Sequence, residues 1–197
     1  LVLGTQLEGH PDNVAPALLG GLVIVVRDDT GLLYNRIPTP ADLEAALFVP
    51  EFSMPTDEAR RVLPQDISRS DAVHNLGRVA LLVSALLQGQ YELLDAATRD
   101  RLHQPYREAM FPAMPKLFTA ARQAGALGAF LSGAGSTILA LCRGNGQTVA
   151  EAMATVARKL SVAGQPMVVP VSSKGVQIKV VKRREHRRRR GEAEDHW

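Results

Sequence analysis

The chain has 197 residues, 46% of them apolar and 22% charged, the composition of a globular protein that can bury one good core, or one domain with part of another. Its longest apolar stretches, 22–26 and 79–87, are far too short to span a bilayer, and no basic leader runs into an apolar segment with a cleavage site, so neither a membrane helix nor a secretory signal is expected. The net charge of +3 belongs to the end of the chain: from Lys182 onward seven Lys/Arg face four Asp/Glu, which leaves sixteen of each before it and implies nothing about what the folded part binds.

The chain opens on a short apolar start and the polar string Glu8-Gly9-His10-Pro11-Asp12-Asn13. A helical patch over 14–19 follows and stops at Gly20-Gly21. The continuous apolar run 22–26 suits a buried strand, and Asp28-Asp29-Thr30-Gly31 turns it into a second strand over 32–37. Pro38 and Pro40 mark a break between two structural units. Beyond it, 45–50 reads as a strand, and Met54-Pro55-Thr56 leads into a short helix through Arg60 and Arg61 that stops before Pro64.

Ser68 or Ser70 can cap the next helix, which runs over about 71–88. Its Val73, Leu76, Val79, Ala80, Val83 and Leu87 follow the helical period, while Asp71, His74, Asn75 and Arg78 share the opposite face, read as hydrated or interdomain. More helix is expected over 91–102 and over 115–124, the latter ending at Gly125. Strands over 127–131 and 137–142 flank the small-residue loop Ser132-Gly133-Ala134-Gly135-Ser136. Val149, Met153, Val156 and Leu160 stripe a last helix ending near Gly164, and 167–171 and 176–181 read as closing strands.

Cys142, the single cysteine, excludes an internal disulfide, fits a reducing cytoplasm, and reads as a small buried hydrophobe at a strand end. Strands and helices mixed without strict alternation argue for an α+β fold with helices packed on a largely antiparallel sheet. Residues 182–197 form a charged run that cannot bury a core and is expected to be disordered. No aromatic side chain interleaves with its arginines, so no nucleic-acid partner is expected, and no membrane partner either.

Two carboxylates, an imidazole and an amide lie within Glu8–Asn13, rigidified by Pro11 and followed by a helix. Such a cluster can coordinate a divalent cation or hold a polar substrate beside a helix start; it can equally be a polar loop with Asp12 or Asn13 as N-cap. Arg60 and Arg107, taken by residue type alone, read as solvated surface charges. The 132–136 loop reads as a tight connection whose glycines supply unusual dihedrals.

The full string Glu-Gly-His-Pro-Asp-Asn-Val-Ala-Pro-Ala from Glu8, followed by Gly20-Gly21, closely resembles a segment of homoserine kinases within the GHMP small-molecule kinase family. Three further blocks in the same order resemble that family. They are Thr56-x-x-x-Arg60-x-x-Leu63-Pro64 with Ser70-Asp71-Ala72-Val73-x-Asn75, then Gln104-Pro105-Tyr106-Arg107, then 131–137. The resemblance implies the end of an N-terminal kinase domain over 1–40, a ferredoxin-like C-terminal domain over 41–181, and the basic tail over 182–197. It also implies ATP and magnesium as cofactors, L-homoserine as the substrate phosphorylated on its side-chain hydroxyl, and a cytoplasmic location, and it is compatible with a homodimer.

By the same resemblance, Arg60 and Arg107 with Thr56 meet the substrate, since a guanidinium fork suits its carboxylate. His10, Asp12 and Asn13 approach it as well, Glu8 binds magnesium, and Gly133, Gly135 and Ser136 lie close to the nucleotide phosphates. Asn13 stands at the catalytic position, but an amide cannot be a general base, so orientation and charge stabilisation are expected there. The family's phosphate loop, Pro-x-x-x-Gly-Leu-Gly-Ser-Ser-Ala, occurs nowhere in the 197 residues, and the chain is accordingly expected to be a C-terminal portion that is inactive alone.

Overall fold

The computed structural model describes residues 1–179. Two short helices, α1 (Val2–Glu8) and α2 (Val14–Leu19), lead into an antiparallel hairpin of β1 (Leu22–Asp28) and β2 (Gly31–Ile37), paired from Leu22 with Ile37 to Asp28 with Gly31. The hairpin turn is held by Asp28, whose carboxylate accepts from the Thr30 hydroxyl at 2.7 Å and its N–H at 2.8 Å.

The second unit runs β3 (Glu44–Pro50), α3 (Thr56–Arg61), α4 (Arg69–Gln88), a 3-10 turn (Tyr91–Leu93) continuing into α5 (Leu94–Ala97), and α6 (Gln104–Arg107). It closes with α7 (Met114–Gln123), β4 (Gly128–Leu131), β5 (Ile138–Cys142), α8 (Gly146–Lys159) and β6 (Gly164–Pro170). The four strands form one antiparallel sheet in the order β4-β5-β3-β6. A strand, a helical excursion, two strands, a helix and a last strand returning beside the first make the ferredoxin-like arrangement that the resemblance implies.

The core sits between one face of this sheet and helices α7 and α8. Ala46 and Phe48 of central β3 meet Leu117 and Ala121 of α7 and Val149, Met153 and Ala157 of α8, all fully or almost fully buried. The i, i+4 recurrence of those α8 positions is why the sequence shows the stripe. Burying Phe48 alone contributes about 2–3 kcal/mol. Its ring tip lies 2.6 Å from where a Cβ on Gly164 would stand, so β6 can start there only with glycine. Cys142 is buried as expected; burial raises its thiol pKa to about 11, which keeps it from acting as a nucleophile.

Several elements differ from their prediction. Residues 2–8 form a helix where only an apolar start is read, because seven residues are too few to establish a helical period. The helix expected over 91–102 ends at Ala97: the Thr98 hydroxyl folds back to the Leu94 carbonyl at 2.9 Å, and Asp100 captures the N–H groups of 102–104. Residues 176–179 make no strand, and 180–181 and the tail lie outside the described residues.

Helix α4 begins where expected, with Ser68 rather than Ser70 as its cap: the Ser68 hydroxyl accepts from the Asp71 N–H at 3.0 Å. Its faces are the reverse of a buried stripe. Val73, Leu76, Val79 and Leu87 stand 57–72% exposed, the last three along a groove of about 850 Å3, whereas Asn75 on the polar face is engaged with the 100–101 segment. No helix among the described residues is long and apolar enough to cross a membrane.

Candidate active site

Four separated segments converge on a polar cleft of about 290 Å3. The end of α1 and the turn after it supply Glu8, His10, Asp12 and Asn13. Helix α3 supplies Thr56 and Arg60, α6 and its N-cap supply Arg107 and His103, and the loop between β4 and β5 supplies Gly133. Every residue predicted for the substrate and the metal thus lines one cavity. His103 joins them unpredicted; its one signal is its place directly before the Gln104-Pro105-Tyr106-Arg107 block.

In the first segment the His10 imidazole Nδ1 lies 2.6 Å from Asp12 Oδ1, which also accepts the Asn13 N–H at 3.0 Å. Asn13 occupies the N-cap position of α2, yet its side chain makes no capping bond. Its amide therefore borders the cleft without a role in holding the helix. The short α3 carries Asp57 and Glu58 in its first turn and Arg60 and Arg61 in its last, the charge order that favours a helix.

Arg107 is the buried cation of the site, 7% exposed. Its Nε donates to the Ala59 carbonyl at 3.3 Å and its Nη1 to the Gly133 carbonyl at 3.1 Å. Burial lowers its pKa from the ordinary arginine value, Asp100 opposes that, and neighbouring Arg60 adds to it. One guanidinium thereby ties α3 and the glycine loop together while standing next to a second.

The loop residues divide by role. Gly133 borders the cleft, at a φ of +56°. Gly135 has a φ of +101° and its N–H donates to the Ser132 carbonyl at 3.0 Å. The Ser136 hydroxyl is buried and donates to the Phe52 carbonyl at 2.6 Å, which anchors the loop to the segment after β3.

The cleft therefore sets guanidinium groups (Arg60, Arg107) and carboxylates (Glu8, Asp12) around a space sized for a small molecule. That pattern suits a zwitterion, with its carboxylate toward the arginines and its ammonium toward the acids. No group of three or more metal-ligating side chains occurs among the described residues. Magnesium asks for less: one or two protein carboxylates beside substrate phosphates suffice, and Glu8 and Asp12 fit that demand.

Residues 82–159 match the family described as GHMP kinases C terminal. The chain is 50% identical over 141 residues to the homoserine kinase of Caldicellulosiruptor bescii, covering 72% of this chain and 46% of that protein. It is 40% identical over 179 residues to the homoserine kinase of Aquifex aeolicus, covering 90% and 60% respectively. The crystal structure of homoserine kinase from Cytophaga hutchinsonii aligns with a TM-score of 0.79 at 34% identity, over 84% of this chain and 53% of that one. The chain spans about half the length of the curated relatives it matches. Sheet order, the blocks that build the cleft and the shared identity agree: the chain carries a GHMP kinase C-terminal domain, and its relatives are homoserine kinases.

Proposed function

We propose that this chain carries the amino-acid site of a homoserine kinase, which passes the γ-phosphoryl group of ATP to the side-chain hydroxyl of L-homoserine. The observation that carries the reading is the cleft itself, where arginines and carboxylates from three distant segments, bordered by the glycine loop as a fourth, face one small space. In this reading Arg107 and Arg60 hold the substrate carboxylate, with Thr56 beside Arg60. His10 and Asp12 border the ammonium and hydroxyl end. Asn13 orients the reacting groups, because an amide cannot take the proton. Glu8 would hold magnesium, which when bound would supply positive charge to the transferring phosphoryl group.

Gly133, Gly135 and Ser136 shape the loop next to the nucleotide phosphates; the buried Ser136 bond to Phe52 supports a scaffolding part for that hydroxyl. The same reading divides the chain into 1–40, 41–181 and 182–197, places it in the cytoplasm with small-molecule partners only, and allows a homodimer.

The test is ATP-dependent phosphorylation by the full gene product with L-homoserine or mevalonate as acceptor. ADP release with homoserine and not with mevalonate is the expected result; the reverse would assign the site to another GHMP kinase. Calorimetric titration of L-homoserine with and without Mg-ATP completes it. Affinity indifferent to nucleotide, together with absent turnover, would make the chain a binding module and end the catalytic reading.

A further inference from the structure

The polar side of α4 is linked to the cleft through a carboxylate that does not itself line it. Asp100 accepts four hydrogen bonds. Its Oδ1 takes the Asn75 amide and the Leu102 N–H, each at 2.8 Å. Its Oδ2 takes the His103 N–H at 2.9 Å and the Gln104 N–H at 2.6 Å. Asn75 completes the junction from the other side, because its Oδ1 accepts the Arg101 N–H at 3.0 Å. Only a side chain with both a donor and an acceptor can make that pair of bonds, so neither aspartate nor leucine replaces it.

These bonds matter for the helix directly after them. Helix α6 is a single turn of four residues, too short to hold itself by helix cooperativity. Its position comes from its attachments. The Gln104 side chain accepts the Leu131 N–H at 2.8 Å, and the Arg107 N–H donates to the His103 carbonyl at 3.2 Å. The peptide that Asp100 grips is thus the one from which the Arg107 backbone hangs.

We propose that Asp100, seated by Asn75, is a positioning residue that sets where Arg107 presents its guanidinium to the amino-acid substrate. The inference rests on the assignment of Arg107 to that substrate. In an asparagine at 100, an NH2 group would face backbone N–H donors in place of an acceptor, and the 101–104 turn would re-form elsewhere. A displacement of about 1 Å in a substrate-holding group can cost up to about a hundredfold in rate.

The experiment is steady-state kinetics of the full gene product with Asp100→Asn, Arg107→Ala and the double variant, varying L-homoserine and Mg-ATP separately. For Asp100→Asn the KM for homoserine should rise roughly tenfold or more, and the KM for ATP should stay within about twofold. The double variant should be no weaker for homoserine than Arg107→Ala alone, since the displaced group is already gone. Equal effects on both substrates, no effect, or additivity in the double variant overturns the inference while leaving Arg107 in the site. An unchanged KM in Arg107→Ala overturns the substrate assignment and this inference with it. Should Asp100→Asn not fold, Asn75→Ala, which removes one of the four bonds to Asp100 and the Arg101 N–H bond but keeps the Asp100 charge, should still raise the homoserine KM about threefold; an unchanged KM there overturns the proposal.

Discussion

Arg107 and Gly133 are joined by a hydrogen bond of 3.1 Å from the guanidinium Nη1 to the glycine carbonyl, and the same side chain reaches the Ala59 carbonyl through Nε. The arginine is therefore a structural clamp as well as a charge at the cleft. Its rigid fork sets the spacing between α3 and the glycine loop, and an ammonium on a flexible stem cannot reproduce two fixed donor directions.

Arg107→Lys is accordingly not conservative. One carbonyl loses its donor, and the cationic centre moves. A homoserine KM raised roughly tenfold and a stability loss of about 1–2 kcal/mol are expected, from kinetics and thermal unfolding. A lysine variant with unaltered KM would show that charge alone, without the fork, is what the site uses.

Asp100 links stability to acid. Burial raises its carboxyl pKa, but the bonds from Gln104, Asn75, Leu102 and His103 outweigh this and bring it from an ordinary 3.8 to about 2. Its contribution is therefore fully present above about pH 4 and disappears as pH falls toward 2. The difference in unfolding free energy between wild type and Asp100→Asn should be about 1–2 kcal/mol at pH 6, allowing for solvent screening, and should shrink toward pH 2. A gap that did not narrow on acidification would mean the carboxylate charge is not what those N–H groups use.

The two loop glycines should respond differently to alanine. At Gly133, with a φ of +56° and open space around a new Cβ, the cost is the left-handed backbone alone, about 1–2 kcal/mol. At Gly135, with a φ of +101°, a Cβ also meets the Met54 sulfur at 3.0 Å and both Leu131 methyls at 3.1 Å. A loss of roughly 2–3 kcal/mol is expected there. Urea midpoints at constant slope would rank the two; equal midpoints would show that the loop relaxes away from Met54 and Leu131.

The open side of α4 should make the 197-residue chain associate. Leu76 and Val79 are 72% and 61% exposed on adjacent turns, next to Ile67 at 50%. Contiguous apolar surface of this kind is unusual on a monomer. Sedimentation of the chain should depend on concentration in the micromolar range, and Leu76→Gln with Val79→Gln should reduce that dependence without changing its circular dichroism. Association unaffected by both changes would locate its cause elsewhere.

Where turn residues and periodicity coincide, the sequence is readable: Gly20-Gly21 after α2, the Asp28–Gly31 turn, Pro55 before α3, Gly125 after α7 and the α8 stripe all predict their elements. The misses have two causes: side chains that turn onto their own neighbouring backbone, and contacts distant in sequence. Nothing in residues 91–102 announces that Thr98 and Asp100 will turn their side chains onto the backbone. Nothing local to α4 tells that Asn75 meets Asp100, 25 positions on, while Leu76 meets no cover. The cleft residues are legible through four blocks of resemblance, and His103 escapes because by type it is one exposed histidine in a loop.

The clamp at Arg107 has a kinetic side. Its bonds span 48 residues to Ala59 and 26 to Gly133, and the Ser136 bond to Phe52 spans 84. Closures of that length carry an entropic cost that local helices and the β1–β2 hairpin do not. The cleft is therefore expected to assemble after those local elements. A small molecule bridging Arg60, Arg107 and Asp12 would bind only after the folding barrier is crossed, so it should slow unfolding while leaving the folding rate almost untouched.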